Sequence, residues 1–133
     1  MEKMNKQTKI LIIDDDYNYV QSIRAILESK EYTVDAAHDR ESAMQKIVEI
    51  KPDLILLDIM MDRLDDGFTI CYKLKHDSEL KKIPILTISA ITKKTGFKFS
   101  PATDGEYFEA DDYVEKPIKA SDLLERVEKL LKR

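Results

Sequence analysis

The chain has 133 residues, of which 43% are apolar and 36% are charged. Its net charge of −4 argues against nonspecific binding to nucleic acid or to anionic membranes, because both need a basic surface. The length fits one domain, and no apolar run is long enough to cross a membrane. Cys71 is the single cysteine, so an internal disulfide is excluded, which favours a cytoplasmic location.

Short apolar runs, bounded by polar residues, predict five strands. In chain order they are Ile10–Ile13, Tyr32–Ala37, Leu54–Leu57, Ile83–Ile88 and Tyr113–Val114. Continuous apolar runs of this length are typical of strands that are buried on both faces of a parallel sheet.

Helical spacing of apolar residues fills the intervals between the strands. The four predicted apolar faces are Val20, Ile23 and Leu27; Ala43, Ile47 and Ile50; Phe68, Cys71 and Leu74; and Leu123, Val127 and Leu130. Asp16 is interpreted as the N-cap of the first helix. The alternation predicts an α/β fold with a doubly wound parallel sheet and right-handed crossovers. Residues 91–112 interrupt this alternation of strands and helices. Three helix-breaking glycine and proline residues there leave room only for a short fourth helix near Glu106–Ala110, or for a loop.

Polar residues of complementary chemistry follow the predicted strands. Asp14 and Asp15 come after the first strand, Asp58 after the third, Ser89 after the fourth and Lys116 after the fifth. In open α/β sheets, ligands bind beyond the carboxyl ends of the strands, so these groups are expected at one edge. His38 and His76 are interpreted as surface residues away from this cluster.

Carboxylates held close together favour a hard divalent cation, and Mg²⁺ prefers oxygen ligands with several retained waters. A carboxylate can also attack phosphorus and form an aspartyl phosphate. Phosphoryl transfer then needs mainly positioning and charge neutralisation. An amine such as Lys116 and a hydroxyl such as Ser89 are suited to phosphoryl oxygens.

Four motifs in order give a family resemblance: the runs KILIIDDD and LILLDIMM, the pair Ser89-Ala90 after a strand, and the run YVEKP. Together they resemble the receiver domains of response regulators, over about residues 8–132. The resemblance implies a flavodoxin-like five-stranded sheet with strand order 2-1-3-4-5. It implies a receiver core over residues 9–132 after an N-terminal extension of residues 1–8.

The resemblance also implies roles at the acidic edge. Asp58 resembles the phosphoacceptor, which takes its phosphoryl group from a histidine kinase or a phosphotransfer protein. Asp14 and Asp15 resemble the acidic pair that binds Mg²⁺, with Asp15 and Asp58 as direct ligands and Asp14 acting more through water. Met60 would supply a backbone carbonyl to the metal.

Three further residues resemble the switch and phosphate-pairing groups of the family. Ser89 resembles the switch hydroxyl, Lys116 the lysine that pairs with the phosphate, and Tyr113 the switch aromatic. For Tyr113, a half-buried structural tyrosine is nearly as good an interpretation as a moving switch. The positions that tune hydrolysis in the family hold apolar Met60 and Ile91, which predicts slow autodephosphorylation.

The resulting expectation is a stand-alone receiver that catalyses its own phosphorylation and is no conventional enzyme. Phosphorylation on Asp58 would switch the surface around residues 90–133 toward a separate protein target, as a monomer or an activation-dependent dimer. One alternative is an interaction module with this fold that never needs phosphorylation. Another is a Mg²⁺-dependent phosphatase, although such enzymes usually carry a second acid where Met60 stands.

Overall fold

The computed structural model describes residues 8–58, 66–89, 111–115 and 118–132. Five strands form one sheet: β1 (Lys9–Ile13), β2 (Thr33–Ala37), β3 (Leu54–Leu57), β4 (Ile85–Ser89) and β5 (Asp112–Glu115). All pairings are parallel, and the strand order is β2-β1-β3-β4-β5. The predicted fold class and strand order are therefore confirmed. The segment 90–110, which holds the predicted short helix, lies outside the described residues.

Four helices are described: α1 (Tyr17–Glu28), α2 (Arg40–Ile50), α3 (Asp66–Lys75) and α4 (Ala120–Leu131). Each contains one of the four predicted apolar faces. Among the residues that the structure describes, no helix is both long and apolar enough to cross a membrane. The prediction that the fourth strand begins at Ile83 was wrong, because β4 begins at Ile85, directly after Pro84.

The sheet separates two apolar clusters, since successive side chains of a strand point to opposite faces. Leu11 and Ile13 of β1 pack with side chains of α2 and α3. Ile10 and Ile12 pack with α1 and α4 on the other face. All four residues of β3 are buried. Cys71 is 1% exposed and belongs to the first cluster, which confirms its interpretation as a core residue.

Side chains from both helical layers cover the free edge of β2. The guanidinium of Arg24 donates to the Val34 carbonyl at 2.8 Å, and Nζ of Lys46 donates to the Ala36 carbonyl at 2.7 Å. An edge strand with open backbone groups can pair with another chain. These two contacts reduce that exposure on the side of the sheet farthest from β5.

The part-buried cation of Lys75 ties α3 to the starts of β4 and β5. Nζ of Lys75 donates to the Asp111 carboxylate at 2.8 Å and to the Ile83 carbonyl at 3.2 Å. The same Asp111 oxygen accepts the backbone N–H of Ile85 at 2.8 Å. The pair lies at the amino ends of the strands, opposite the edge where Asp14 and Asp58 lie, so it stabilises the sheet without touching that edge.

Candidate functional site

The turn from β1 into α1 is held by the aspartates that follow the strand. Asp14 donates its backbone N–H to the Ala37 carbonyl at 3.1 Å, which extends the β1–β2 pairing by one residue. Oδ1 of Asp14 accepts the N–H of Asp16 at 2.9 Å. Asp16 in turn accepts the N–H of Tyr19 at 3.1 Å and caps α1. The N-cap interpretation of Asp16 is confirmed.

Asp58 is the first residue after β3, and its backbone is fixed in the same way. Its N–H donates to the Ile13 carbonyl at 2.9 Å. The β1–β3 pairing therefore continues past the strand end and sets Asp58 beside the β1–α1 turn. Only 4% of Asp58 and 2% of Asp14 is exposed.

The carboxylates of Asp14, Asp15 and Asp58 meet at this edge. One oxygen from each lies within 4.8 Å of the others. Asp15 is exposed while the other two are buried. Like charges at this separation repel strongly when little water screens them. Oxygen ligands on one open, partly exposed face suit Mg²⁺, which retains waters and accepts few protein ligands.

A protein-family model for the response regulator receiver domain matches residues 10–128. The chain belongs to the response-regulator receiver family. Receiver domains generally bind Mg²⁺ at an acidic pocket such as this one.

Curated relatives share this domain as part of a longer chain. The DNA-binding dual master transcriptional regulator RpaA of Synechocystis sp. is 36% identical over 125 residues, which is 94% of this chain and 49% of the relative. Response regulator MprA of Mycobacterium ulcerans is 37% identical over 125 residues, again 94% of this chain and 50% of the relative. The receiver chain thus spans about half the length of the curated relatives it matches.

Solved structures agree with the fold. A two-component response regulator from Clostridium difficile superposes with a TM-score of 0.78 at 34% identity, covering 96% of this chain and 98% of that one. A response regulator receiver domain protein from Methanospirillum hungatei gives a TM-score of 0.79 at 25% identity, covering 96% and 95%.

His38 approaches the receiver pocket, contrary to the sequence-based expectation. It is exposed as predicted, but it follows β2 directly and contacts the pocket backbone. Its Nδ1 lies 2.9 Å from the Asp14 carbonyl oxygen. A carbonyl oxygen only accepts hydrogen bonds, so Nδ1 carries the proton. The ring also lies 5.8 Å from that of Tyr17. The error came from treating the β2 end as remote, although β2 neighbours β1.

Tyr19 is a site residue that the sequence-based list omits. It is half-buried, and its hydroxyl oxygen is buried. It lines a cavity of about 10 Å³ together with Asp14 and Asp58. Burial raises the pKa of Tyr19 to about 12, the charges of Asp14 and Asp58 act in the same direction, and the backbone of Ile118 opposes them. Its spacing of one helical turn before Ile23 could have indicated that it faces the sheet.

Of the other predicted site residues, the structure describes Tyr113 and the backbone of Ser89. Tyr113 lies in β5, packs against the apolar cluster on the α2 and α3 face, and has a buried hydroxyl oxygen. The backbone of Ser89 ends β4 and is paired with Glu115. The side chain of Ser89, and the whole of Met60 and Lys116, lie outside the described residues.

Proposed function

We propose that Asp58 of this receiver domain accepts a phosphoryl group from a histidine kinase or phosphotransfer protein in a Mg²⁺-dependent reaction. The observation that carries the proposal is the cluster of Asp14, Asp15 and Asp58 at the carboxyl ends of β1 and β3. Two of these carboxylates are almost fully buried, an arrangement that costs free energy unless a cation offsets it. Clusters of buried acids of this kind are typical of functional sites.

In the proposed reaction, a carboxylate oxygen of Asp58 attacks phosphorus of a phosphohistidine donor. The O–P bond forms as the N–P bond breaks, and the departing imidazole takes a proton from solvent. The chain contributes positioning, because the Asp58 N–H bond to Ile13 fixes the nucleophile relative to the β1–α1 turn. A carboxylate is itself the nucleophile, so this step needs no separate base to activate a hydroxyl or an amine.

The residues present fit a hard divalent cation. Asp15 and Asp58 would hold Mg²⁺ directly, Asp14 would act more through water, and the Met60 carbonyl would complete the protein ligands. Bound Mg²⁺ would neutralise charge on the carboxylates and on the phosphoryl oxygens. The exposed position of Asp15 beside two buried acids supports this division, because it leaves one side open for water and phosphate.

Strand register supports the roles proposed for Lys116 and Ser89. Leu57 is paired with Thr87, and Ser89 with Glu115. The strands β4 and β5 therefore end at the edge of the sheet where Asp58 lies. Lys116 would pair with one phosphoryl oxygen and the Ser89 hydroxyl with another. Movement of Ser89 toward the phosphoryl group, followed by Tyr113, would bias a two-state surface around residues 90–133.

The proposed output is a protein contact, made by a monomer or by a dimer that forms on activation. RpaA is named as DNA-binding, but the net charge of −4 of this chain does not favour direct contact with nucleic acid. We propose a cytoplasmic location, because Cys71 is the single cysteine and is buried, so that no disulfide within the chain is possible, and because the proposed donors are phosphorylated there.

Incubation with acetyl phosphate, followed by intact-mass measurement, tests the proposal. The wild-type chain should gain one phosphoryl group with Mg²⁺ and none with EDTA, and Asp58→Asn should gain none. Asp16→Asn is the matched control: it removes an adjacent acid, yet asparagine caps helices as well as aspartate does. Adduct formation by Asp58→Asn would refute the assignment. No adduct under any condition would favour the phosphorylation-independent interaction module.

A further inference from the structure

The end of β2 holds both backbone groups of Asp14. The N–H of Asp14 donates to the Ala37 carbonyl at 3.1 Å, one residue beyond the pair of Ile13 and Ala37 in the parallel ladder. The carbonyl of Asp14 accepts the Nδ1–H of the next residue, His38, at 2.9 Å. Two consecutive residues therefore fix the main chain of one pocket acid without using its carboxylate.

The bond from His38 acts on the peptide group that joins Asp14 to Asp15. A peptide group is planar, so its carbonyl oxygen, its N–H and both flanking Cα atoms move together. A donor fixed on the Asp14 oxygen therefore sets the direction of the Asp15 N–H and the position of the Asp15 Cα. Asp15 is the exposed member of the cluster with Asp14 and Asp58. Since an exposed residue is held by few packing contacts, a bond on the peptide before it contributes more to its position.

The imidazole of His38 is itself held in place, although it lies at the surface. The ring of Tyr17, the first residue of α1, lies 5.8 Å from it at a tilt of 44°, and aromatic rings in such an arrangement attract each other. The residue after His38 begins α2, because the Asp39 carboxylate accepts the Ser42 N–H at 2.8 Å. The backbone of His38 is thus anchored to β1 through Ala37 on one side and to α2 on the other.

We propose that His38 is a positioning residue of this receiver, which orients the peptide between Asp14 and Asp15 so that their carboxylates and that of Asp58 bind Mg²⁺. This inference rests on the proposed function, since it assigns a supporting group to the proposed metal site. Hydrogen-bonding partners of metal ligands fix the orientation of those ligands, and their loss typically lowers metal affinity about 10- to 100-fold. The bond from His38 reaches a ligand through its backbone, so we expect a loss near the lower limit of that range.

Two substitutions at position 38 separate the hydrogen bond from the ring contact. His38→Phe keeps an aromatic ring beside Tyr17 but removes the N–H donor. His38→Asn removes the ring but keeps an N–H donor, because the amide nitrogen of asparagine is attached to Cγ just as Nδ1 of histidine is. Position 38 is exposed, and substitutions at exposed positions usually change stability little.

His76→Phe is the matched control. His76 is also exposed, and its ring stacks on that of Tyr72 at 4.1 Å. It follows α3 directly, next to Lys75, whose contacts lie at the amino ends of β4 and β5. The acids lie at the opposite ends of the strands, so this substitution removes the same imidazole without touching the proposed metal site.

Addition of MgCl₂ at constant pH, followed by the backbone amide NMR resonances of Asp15 and Asp58, measures the Mg²⁺ affinity of each variant. Thermal unfolding in EDTA checks that each variant is folded. His38→Phe should bind Mg²⁺ about tenfold more weakly than wild type, whereas His38→Asn and His76→Phe should stay within about twofold of it. In the metal-free protein, the amide nitrogen resonance of Asp15 should move in His38→Phe and much less in His38→Asn, because that nitrogen belongs to the peptide whose carbonyl loses its donor.

A His38→Phe affinity within about twofold of wild type overturns the inference. An equal loss of affinity in His38→Asn overturns it as well, because the effect would then belong to the ring and not to the hydrogen bond. A second measurement needs no variant: in the wild type, the ring resonances of His38 should shift with the same dissociation constant as the Asp15 amide, while those of His76 stay in place. A His38 ring that does not respond to Mg²⁺ would also overturn the inference.

Phosphorylation of Asp58 is measured separately by intact mass, so the two proposals can fail independently. If the wild type is phosphorylated and His38→Phe binds Mg²⁺ as the wild type does, only the role of His38 is refuted. A wild-type chain that binds no Mg²⁺ overturns the role of His38, and one that also gains no phosphoryl group overturns the proposed function.

Discussion

Removing one charge from the acidic pocket should stabilise the protein in the absence of metal. Asp14 and Asp58 are both buried, and their nearest carboxylate oxygens lie within 4.8 Å. With an effective dielectric constant of about 20, two unit charges at that distance repel by about 3 kcal/mol. Asp58→Asn removes this repulsion but also loses some native contacts. We expect the free energy of unfolding in EDTA to rise by about 1–3 kcal/mol.

Urea denaturation with and without Mg²⁺ measures this effect. The midpoint in EDTA should rise by roughly 1 M for Asp58→Asn, given a slope of about 1–3 kcal/mol/M. Mg²⁺ at about 100 times its dissociation constant should stabilise the wild type by about 2.7 kcal/mol and the variant much less. Glu49→Gln is the control, because it removes one exposed charge on α2 and should change stability by under about 0.5 kcal/mol. The reasoning is refuted if Asp58→Asn is no more stable than wild type in EDTA.

Three other predictions follow from single contacts. Lys75→Met leaves the part-buried Asp111 carboxylate without its cation and should cost about 2 kcal/mol in urea denaturation; a change under about 0.5 kcal/mol would contradict the importance of that pair. Asp39→Ala should cost about 1 kcal/mol, because Asp39 caps α2 by accepting the Ser42 N–H at 2.8 Å. That bond lowers the pKa of Asp39. Its contribution to the free energy of unfolding is therefore present above pH about 4 and is lost as pH falls through the folded-state pKa. If the wild type were still more stable than Asp39→Ala at about pH 2, that result would contradict this reasoning. Met60→Asn should shorten the lifetime of the phosphorylated protein, measured by loss of the mass adduct, because an amide can orient an attacking water; an unchanged lifetime would contradict the predicted role of that position.

Most of the fold could be predicted from the sequence because its strands are continuous apolar runs. Leu54–Leu57 is buried on both faces, and such runs fit few architectures other than a parallel sheet covered by helices on both faces. The acids of the site were predictable for a related reason: they stand directly after β1 and β3, and parallel strands bring their carboxyl ends to one edge.

Contacts that depend on the path of a turn could not be predicted in this way. His38 reaches the Asp14 carbonyl through the geometry of the chain after β2. Tyr19 enters the pocket because two side-chain bonds from aspartates set where α1 begins. The start of β4 was misplaced by two residues, since Ile83 is as apolar as the strand that follows it.

Chemical mapping of the phosphorylated residue tests the central claim most directly. Borohydride reduces an acyl phosphate to an alcohol, so a phosphorylated aspartate is recovered as homoserine in a proteolytic peptide. After treatment with acetyl phosphate and Mg²⁺, homoserine should appear at position 58, with Asp14 and Asp15 unchanged. Homoserine at either of those neighbours, or at no aspartate of a chain that has gained a phosphoryl group, would contradict the assignment of Asp58 as the acceptor.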